Sequence, residues 1–192
     1  MSMVSVAQTA HGCWKKHRRQ IERIRKHVIC LPPKGGKGYL TEMLKKQRQY
    51  WVVDVDESLK KVGTLAQRTR LETAKKELDH FAYETAYLDL CSILRDEVRS
   101  QCKKNKSLRV VFLTSSWSFA SLFKQDAVAV NCPDREFFDT ILADAPEDEK
   151  ERLRKGREDF VKSVPADSIR TYPSYKRLEE MARERLKIVA TV

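Results

Sequence analysis

Four apolar runs constrain this chain most: "HVICL" at 27–31, "YWVVDVDE" at 50–57, "LRVVFLTSS" at 108–116 and "AVAVNCP" at 127–133. Each is short, rich in β-branched residues and nearly continuous in its hydrophobicity. A strand with one wet face alternates apolar and polar residues, whereas a continuous run reads as a strand covered on both faces. Segments of helical spacing lie between the runs. Leu40, Met43 and Leu44 mark one face of a helix over 41–49. Residues 58–102 read as helices with a break near Gly63. There Leu71, Ala74, Leu78, Phe81, Ala82 and Thr85 share a face, which Leu88, Cys91, Leu94 and Val98 continue. "SWSFASLFK" is a short helix, and "DREFFDTIL" begins one at an N-cap, Asp134 or the turn at Asn131. "SIRTYPS", 168–174, is extended at most, because Pro173 interrupts it, and "YKRLEEMARERLKIV" closes the chain with Leu178, Met181, Ala182 and Leu186 on one face. Strands alternating with helices predict an α/β fold of three layers: a parallel sheet of four to five strands with helices on both faces.

Composition bounds the partners. The 192 residues, 41% of them hydrophobic, suit one domain with a sizeable core. No apolar run approaches the roughly 20 residues of a membrane span, and the first residues lack the pattern of a secretory signal. The five cysteines, an odd number with no CxxC spacing, indicate neither a zinc site nor a disulfide framework. A reducing, cytoplasmic compartment fits them. The four histidines form no ligand pattern. A net charge of +11 implies an anionic partner: a nucleotide, RNA or an acidic protein surface. Much of that charge lies in "CWKKHRRQIERIRKH", 13–27, which reads as a basic helix. It either packs on the domain as a solvated helix or contacts nucleic-acid phosphates. The chain therefore divides into a basic arm over 1–26 and a domain over 27–192.

Ligands of parallel α/β sheets sit at the carboxyl ends of the strands. Several polar residues are expected there: the stretch "LPPKGGKGYL" at 31–40, Asp54, Asp56, Ser115, Ser116 and Asn131. The stretch resembles the pattern GxxxxGK[ST], in which glycines let backbone N–H groups curl around phosphate. Its lysine neutralises the outer phosphates and its hydroxyl holds magnesium. Gly36 and Lys37 are in place. Leu31 stands where the first glycine belongs, and Gly38 where the hydroxyl residue belongs. By itself the stretch is either a degenerate Walker A loop or a proline–glycine turn that needs no ligand.

The second strand adds to the pattern, because its "DVD" places Asp54 17 residues after Lys37. Together these features resemble the P-loop kinase superfamily. Adenylate-kinase-like loops read GxPGxGKGT, and "LPPKGGKGY" shares Pro33, Gly36, Lys37 and Gly38 with them. It differs at Leu31, Lys34 and Tyr39. In the shikimate-kinase-like branch a strand ending D-x-D follows the loop at the same distance. "YPSYKRLEEMARERL" is similar to the R-x-P-x-Y-x-x-x-A stretch that follows the lid in these kinases.

The resemblance implies a P-loop kinase-like fold that binds ATP or another NTP with Mg2+ and transfers a phosphoryl group to a small molecule or nucleotide. Lys34, Gly35, Gly36, Lys37, Gly38 and Tyr39 would surround the phosphates. Asp54 would hold Mg2+, directly or through water, and Asp56 would orient the acceptor. The charged segment 143–163 would be the lid, supplying Arg152, Arg154 and Arg157. Lys37, Asp54, Asp56 and Arg154 would be the catalytic set. "TSSW", 114–117, departs from the glycine-rich turn with which these kinases bind a small acid. The other reading keeps the fold without catalysis. The protein would then be an RNA-binding or structural component of a larger assembly, including a viral one, where it would reside in the virion. Asp54 and Asp56 would in that case be ordinary strand-end or helix-capping acids.

Overall fold

A computed structural model describes residues 26–47, 49–77, 79–104, 109–123 and 125–187. The basic arm therefore lies outside the described residues, except for Lys26, which opens the first strand. The described residues form two compact units, one of residues 26–54 with 109–187 and one of residues 55–104.

The first unit is built on five strands: β1 (Lys26–Cys30), β2 (Tyr50–Asp54), β3 (Arg109–Thr114), β4 (Val128–Pro133) and β5 (Ile169–Tyr172). All pairings are parallel, in the order β2-β3-β1-β4-β5. The predicted α/β class with an all-parallel sheet is therefore what the chain adopts. Its helices are α1 (Lys37–Lys45), α5 (Trp117–Ala120), α6 (Arg135–Ala143), α7 (Glu147–Ser163) and α8 (Tyr175–Leu186). The second unit holds α2 (Val55–Leu59), α3 (Leu65–Lys76) and α4 (His80–Lys104). Among the described residues no helix is long and apolar enough to cross a membrane.

Continuous hydrophobicity in the strands has the expected cause, since both faces of the sheet are covered. Ile29, Val111, Leu113 and Tyr172 join Leu40, Met43 and Leu44 of α1 and Leu178, Ala182 and Leu186 of α8 in one core. On the opposite face Phe112 meets Phe119 at 5.4 Å and Phe123 at 5.7 Å between ring centroids.

Element boundaries differ from expectation in three places. Helix α1 starts at Lys37, not at 41, because Gly36 caps it in the left-handed region. Strand β2 stops at Asp54, so Asp56 and Glu57 fall in the first turn of α2 rather than in the strand. Acids there meet the positive end of the helix dipole. The stretch at 168–174 does form a strand, β5, which pairs with β4 along one edge and ends before Pro173. An edge strand tolerates proline at its margin because it pairs on one side only.

In the second unit Thr64 caps α3 in a reciprocal capping box with Gln67. The face predicted there is only partly real. Ala74 is the one buried residue of α3, and Phe81 is 63% exposed. Along α4 the predicted Leu88, Cys91, Leu94 and Val98 are all buried, and Tyr87 and Leu90 join them. Helix α3 ends at Lys76 and α4 begins at His80, with Leu78 outside the described residues, so a periodicity read across that junction does not describe one surface.

Candidate functional site

The connection β1–loop–α1 emerges at the centre of the sheet. After β1 the chain moves to β2 on one side, returns through β3 and crosses to β4 on the other. The carboxyl end of β1 thus lies where the winding reverses, the usual ligand position in such sheets. The N–H of Leu31 donates to the Thr114 carbonyl at 2.9 Å and extends the β1–β3 ladder by one residue. Gly35 N–H then donates to the Pro32 carbonyl at 2.9 Å and closes a tight turn.

Two residues of this turn are left-handed, Lys34 at φ 58° and Gly36 at φ 90°. Left-handed residues set among right-handed ones turn successive N–H groups toward one side, which makes an anion-binding concavity. Gly36 also has no room for a side chain, since a Cβ there would lie 2.7 Å from Leu178 Cδ2. Helix α1 follows with no side-chain cap, and its first turn contains no acid. The amino-terminal dipole of α1 therefore faces the loop without an internal carboxylate in its own first turn.

Two tyrosines of the last segment hold the loop from below. Tyr172 is fully buried and donates its hydroxyl to the Gly35 carbonyl at 2.6 Å. Burial pushes its phenol well above the ordinary range, so it stays a neutral donor. Tyr175 donates more weakly to the Lys34 carbonyl, at 3.4 Å. Tyr172→Phe leaves a buried carbonyl without its partner. The expected loss is about 1–2 kcal/mol in denaturant-induced unfolding, with the baseline slope unchanged.

Leu31, the residue in place of the first consensus glycine, is fully buried in the α1–α8 core. Its side chain therefore adds no bulk to the loop surface. Lys37 opens α1, and its Nζ lies 3.5 Å from Asp54 Oδ1 at the end of β2. Both side chains are partly exposed, 18% and 23%. Gly38 faces open space, with nothing within 4 Å of a Cβ built there. Tyr39 points to α8: its ring stacks on Tyr175 at 5.3 Å and its hydroxyl donates to Glu179 at 2.6 Å. That hydrogen bond, more than burial, raises the Tyr39 phenol above its ordinary value.

The lid candidates occupy different surroundings. Arg152 is exposed and pairs with Glu149 at 3.0 Å, and Arg154 pairs with Glu151 at 3.7 Å, both along α7. Arg157 turns inward, donates to the Pro133 carbonyl at 3.2 Å and lies 5.0 Å from the centre of the Phe138 ring. Lys34 extends toward the first turn of α7, where Glu149 Oε2 lies 3.8 Å from its Nζ. Asn131 is buried within β4, and the helix start it was a candidate for belongs to Asp134, which accepts from Phe137 N–H at 2.8 Å. Ser116 likewise caps α5. The structure thus brings Lys34, Gly35, Gly36, Lys37 and Asp54 to one end of the sheet.

Asp56 belongs to the second unit. Burial foremost, and then the charge of Asp56, raise the Tyr83 phenol, while burial pushes the Cys91 thiol up to about 12. Tyr83 and Tyr87 stack at 6.0 Å on α4. Sequence reasoning passed over these tyrosines. Their spacing of four residues on one helix, near an acid, was the available signal.

No cluster of three or more His, Cys, Asp or Glu side chains suited to a metal occurs among the described residues. The molecule is therefore an α/β protein with an all-parallel five-stranded sheet and a glycine-containing turn between its first strand and helix. Compared with known proteins, the chain matches no family model, and no curated protein sequence is significantly similar to it.

Proposed function

We propose that the turn 31–38 binds the phosphates of a nucleoside triphosphate and that the protein is a P-loop kinase-like phosphotransferase. The observation that carries this reading is the backbone of the turn. Lys34 occupies the place of a glycine in the adenylate-kinase-like pattern, and it is held at φ 58° although it is not glycine. A lysine rarely adopts that conformation, which costs about 1–2 kcal/mol.

In this reading the N–H groups of the turn and of the first turn of α1 bind phosphate oxygens. Lys37 exchanges Asp54 for the outer phosphates. Asp54 is the carboxylate that would face a divalent cation held by those phosphates. One carboxylate suffices for Mg2+, which completes its shell with water and substrate phosphate. Among the described residues no cluster suits a resident metal, so the cation would arrive with the nucleotide. Bound Mg2+ would neutralise charge on the transferring phosphoryl group. Arg152 and Arg154 would cover the transferring group. Arg157, held against Phe138, is placed to support the β4–α6 corner instead.

A second reading is favoured by two residues. Gly38 lacks the hydroxyl that holds magnesium, and the Tyr39 hydroxyl is committed to Glu179. A net charge of +11 would then serve RNA or a larger assembly. Calorimetric titration with ATP, with and without magnesium, tests the choice. Binding at millimolar ATP supports the nucleotide reading, and no heat and no thermal shift would reject it. Gly38→Ser supplies the missing hydroxyl in open space. It is expected to tighten MgATP about three- to tenfold and leave metal-free ATP unchanged.

A further inference from the structure

The first turn of α7 is acidic, with Glu147, Asp148 and Glu149, yet α7 lies against the loop that would bind phosphate. The contact is close: a Cβ on Gly156 of α7 would lie 3.2 Å from Pro33 Cγ. Of the three acids Glu149 is the one joined to the loop. Its Oε1 accepts from Arg152 Nη2 at 3.0 Å, and its Oε2 lies 3.8 Å from Lys34 Nζ. Oε2 is buried and has no hydrogen-bond partner. A carboxylate oxygen withdrawn from water without a hydrogen bond is costly, and the nearby ammonium offsets that cost only in part.

We propose that Glu149 is a built-in counter-ion of the loop and thereby a determinant of which anions it accepts. The proposal rests on the phosphate-binding reading of the turn. While Glu149 faces Lys34, it holds two cations, Lys34 and Arg152, that a phosphate chain would otherwise take. An incoming anion must carry enough charge to displace it. A tri- or diphosphate chain offers several charged oxygens to Lys34, Lys37 and Arg152 at once, whereas orthophosphate or a simple carboxylate offers few. Glu149 thus selects for polyphosphate chains against small anions of lower charge. Its displacement frees Arg152 in the same step.

The test compares the wild type with Glu149→Gln and Glu151→Gln. The second variant removes the same charge from the same helix, but Glu151 pairs with Arg154 and not with the loop. Sodium tripolyphosphate, orthophosphate and MgATP are titrated by calorimetry at constant ionic strength. Glu149→Gln is expected to bind tripolyphosphate about three- to fivefold more tightly than wild type, the range for a partly exposed ion pair. Its preference for tripolyphosphate over orthophosphate should narrow, and Glu151→Gln should stay within about twofold of wild type. In a Lys34→Gln background the gain from Glu149→Gln should shrink, since the two residues act as a pair. Equal gains in both glutamate variants, or an undiminished gain without Lys34, overturn the proposal. If MgATP binds all variants equally, the nucleotide reading stands and the counter-ion falls. If tripolyphosphate shows the gain while MgATP binds none, the nucleotide reading falls and the counter-ion stands. If no anion binds any variant, both fall.

Discussion

Gly36→Ala is expected to destabilise the protein by roughly 2–5 kcal/mol. Two costs add. The residue sits at φ 90°, where an L side chain is strained by about 1–2 kcal/mol. The new Cβ would also meet Leu178 Cδ2 at 2.7 Å and the Tyr175 ring at 3.0 Å, and overpacking of that kind costs about 1–3 kcal/mol. Neither neighbour can retreat easily, because Leu178 is fully buried and Tyr175 packs on Phe137 at 5.0 Å. Urea denaturation monitored by far-ultraviolet circular dichroism measures the loss. A midpoint within error of wild type would show that the turn is not built as described.

The effect separates two roles of glycine in one loop. Gly36 is required by backbone conformation and by the closeness of α8. Gly38, two residues on, is required by neither, since a Cβ there meets nothing. Only the first is a structural necessity, and it holds whether or not the loop binds a ligand.

Lys37→Ala is expected to weaken MgATP binding by about ten- to a hundredfold while costing the fold no more than about 1 kcal/mol. A hydrogen bond from an ammonium to phosphate is worth about 1.5–3 kcal/mol. The pair it makes with Asp54, at 3.5 Å, has partly solvated members and contributes little to stability. Calorimetry and thermal unfolding on the same sample separate the two effects. Retention of wild-type ATP affinity would remove the loop from the nucleotide site, and a large loss of stability would make Lys37 a structural residue. Arginine at this position keeps the charge but presents a planar fork in place of a compact ammonium, so it should rescue binding only in part.

The strands were legible because their signal is local. A run such as "VVFLT" has no polar face to show to water, so it must be covered on both sides, and parallel pairing between helices does that. The capping of α6 by Asp134 was legible for the same reason: a short side chain accepts from an N–H three residues on. Local signals also misled where two tendencies competed. "YWVVDVDE" reads as one strand, but the pull of Asp56 and Glu57 toward a helix amino terminus ends β2 at Asp54. Phe81 fits a helical stripe in the sequence and lies in solvent, because the chain changes direction between α3 and α4.

The candidate site divides along the same line. That Gly36 and Lys37 lie at the junction of a buried strand and the helix after it followed from the sequence alone, since order along the chain and hydrophobic pattern suffice for it. Contacts between distant segments decided the rest. The fold placed Leu31 in the core, Tyr39 on Glu179, Arg157 against Phe138 and Glu149 beside Lys34. Each outcome depends on which helix packs beside the loop and at what angle. That is a property of shape and close packing summed over the whole unit, and no spacing within one segment encodes it.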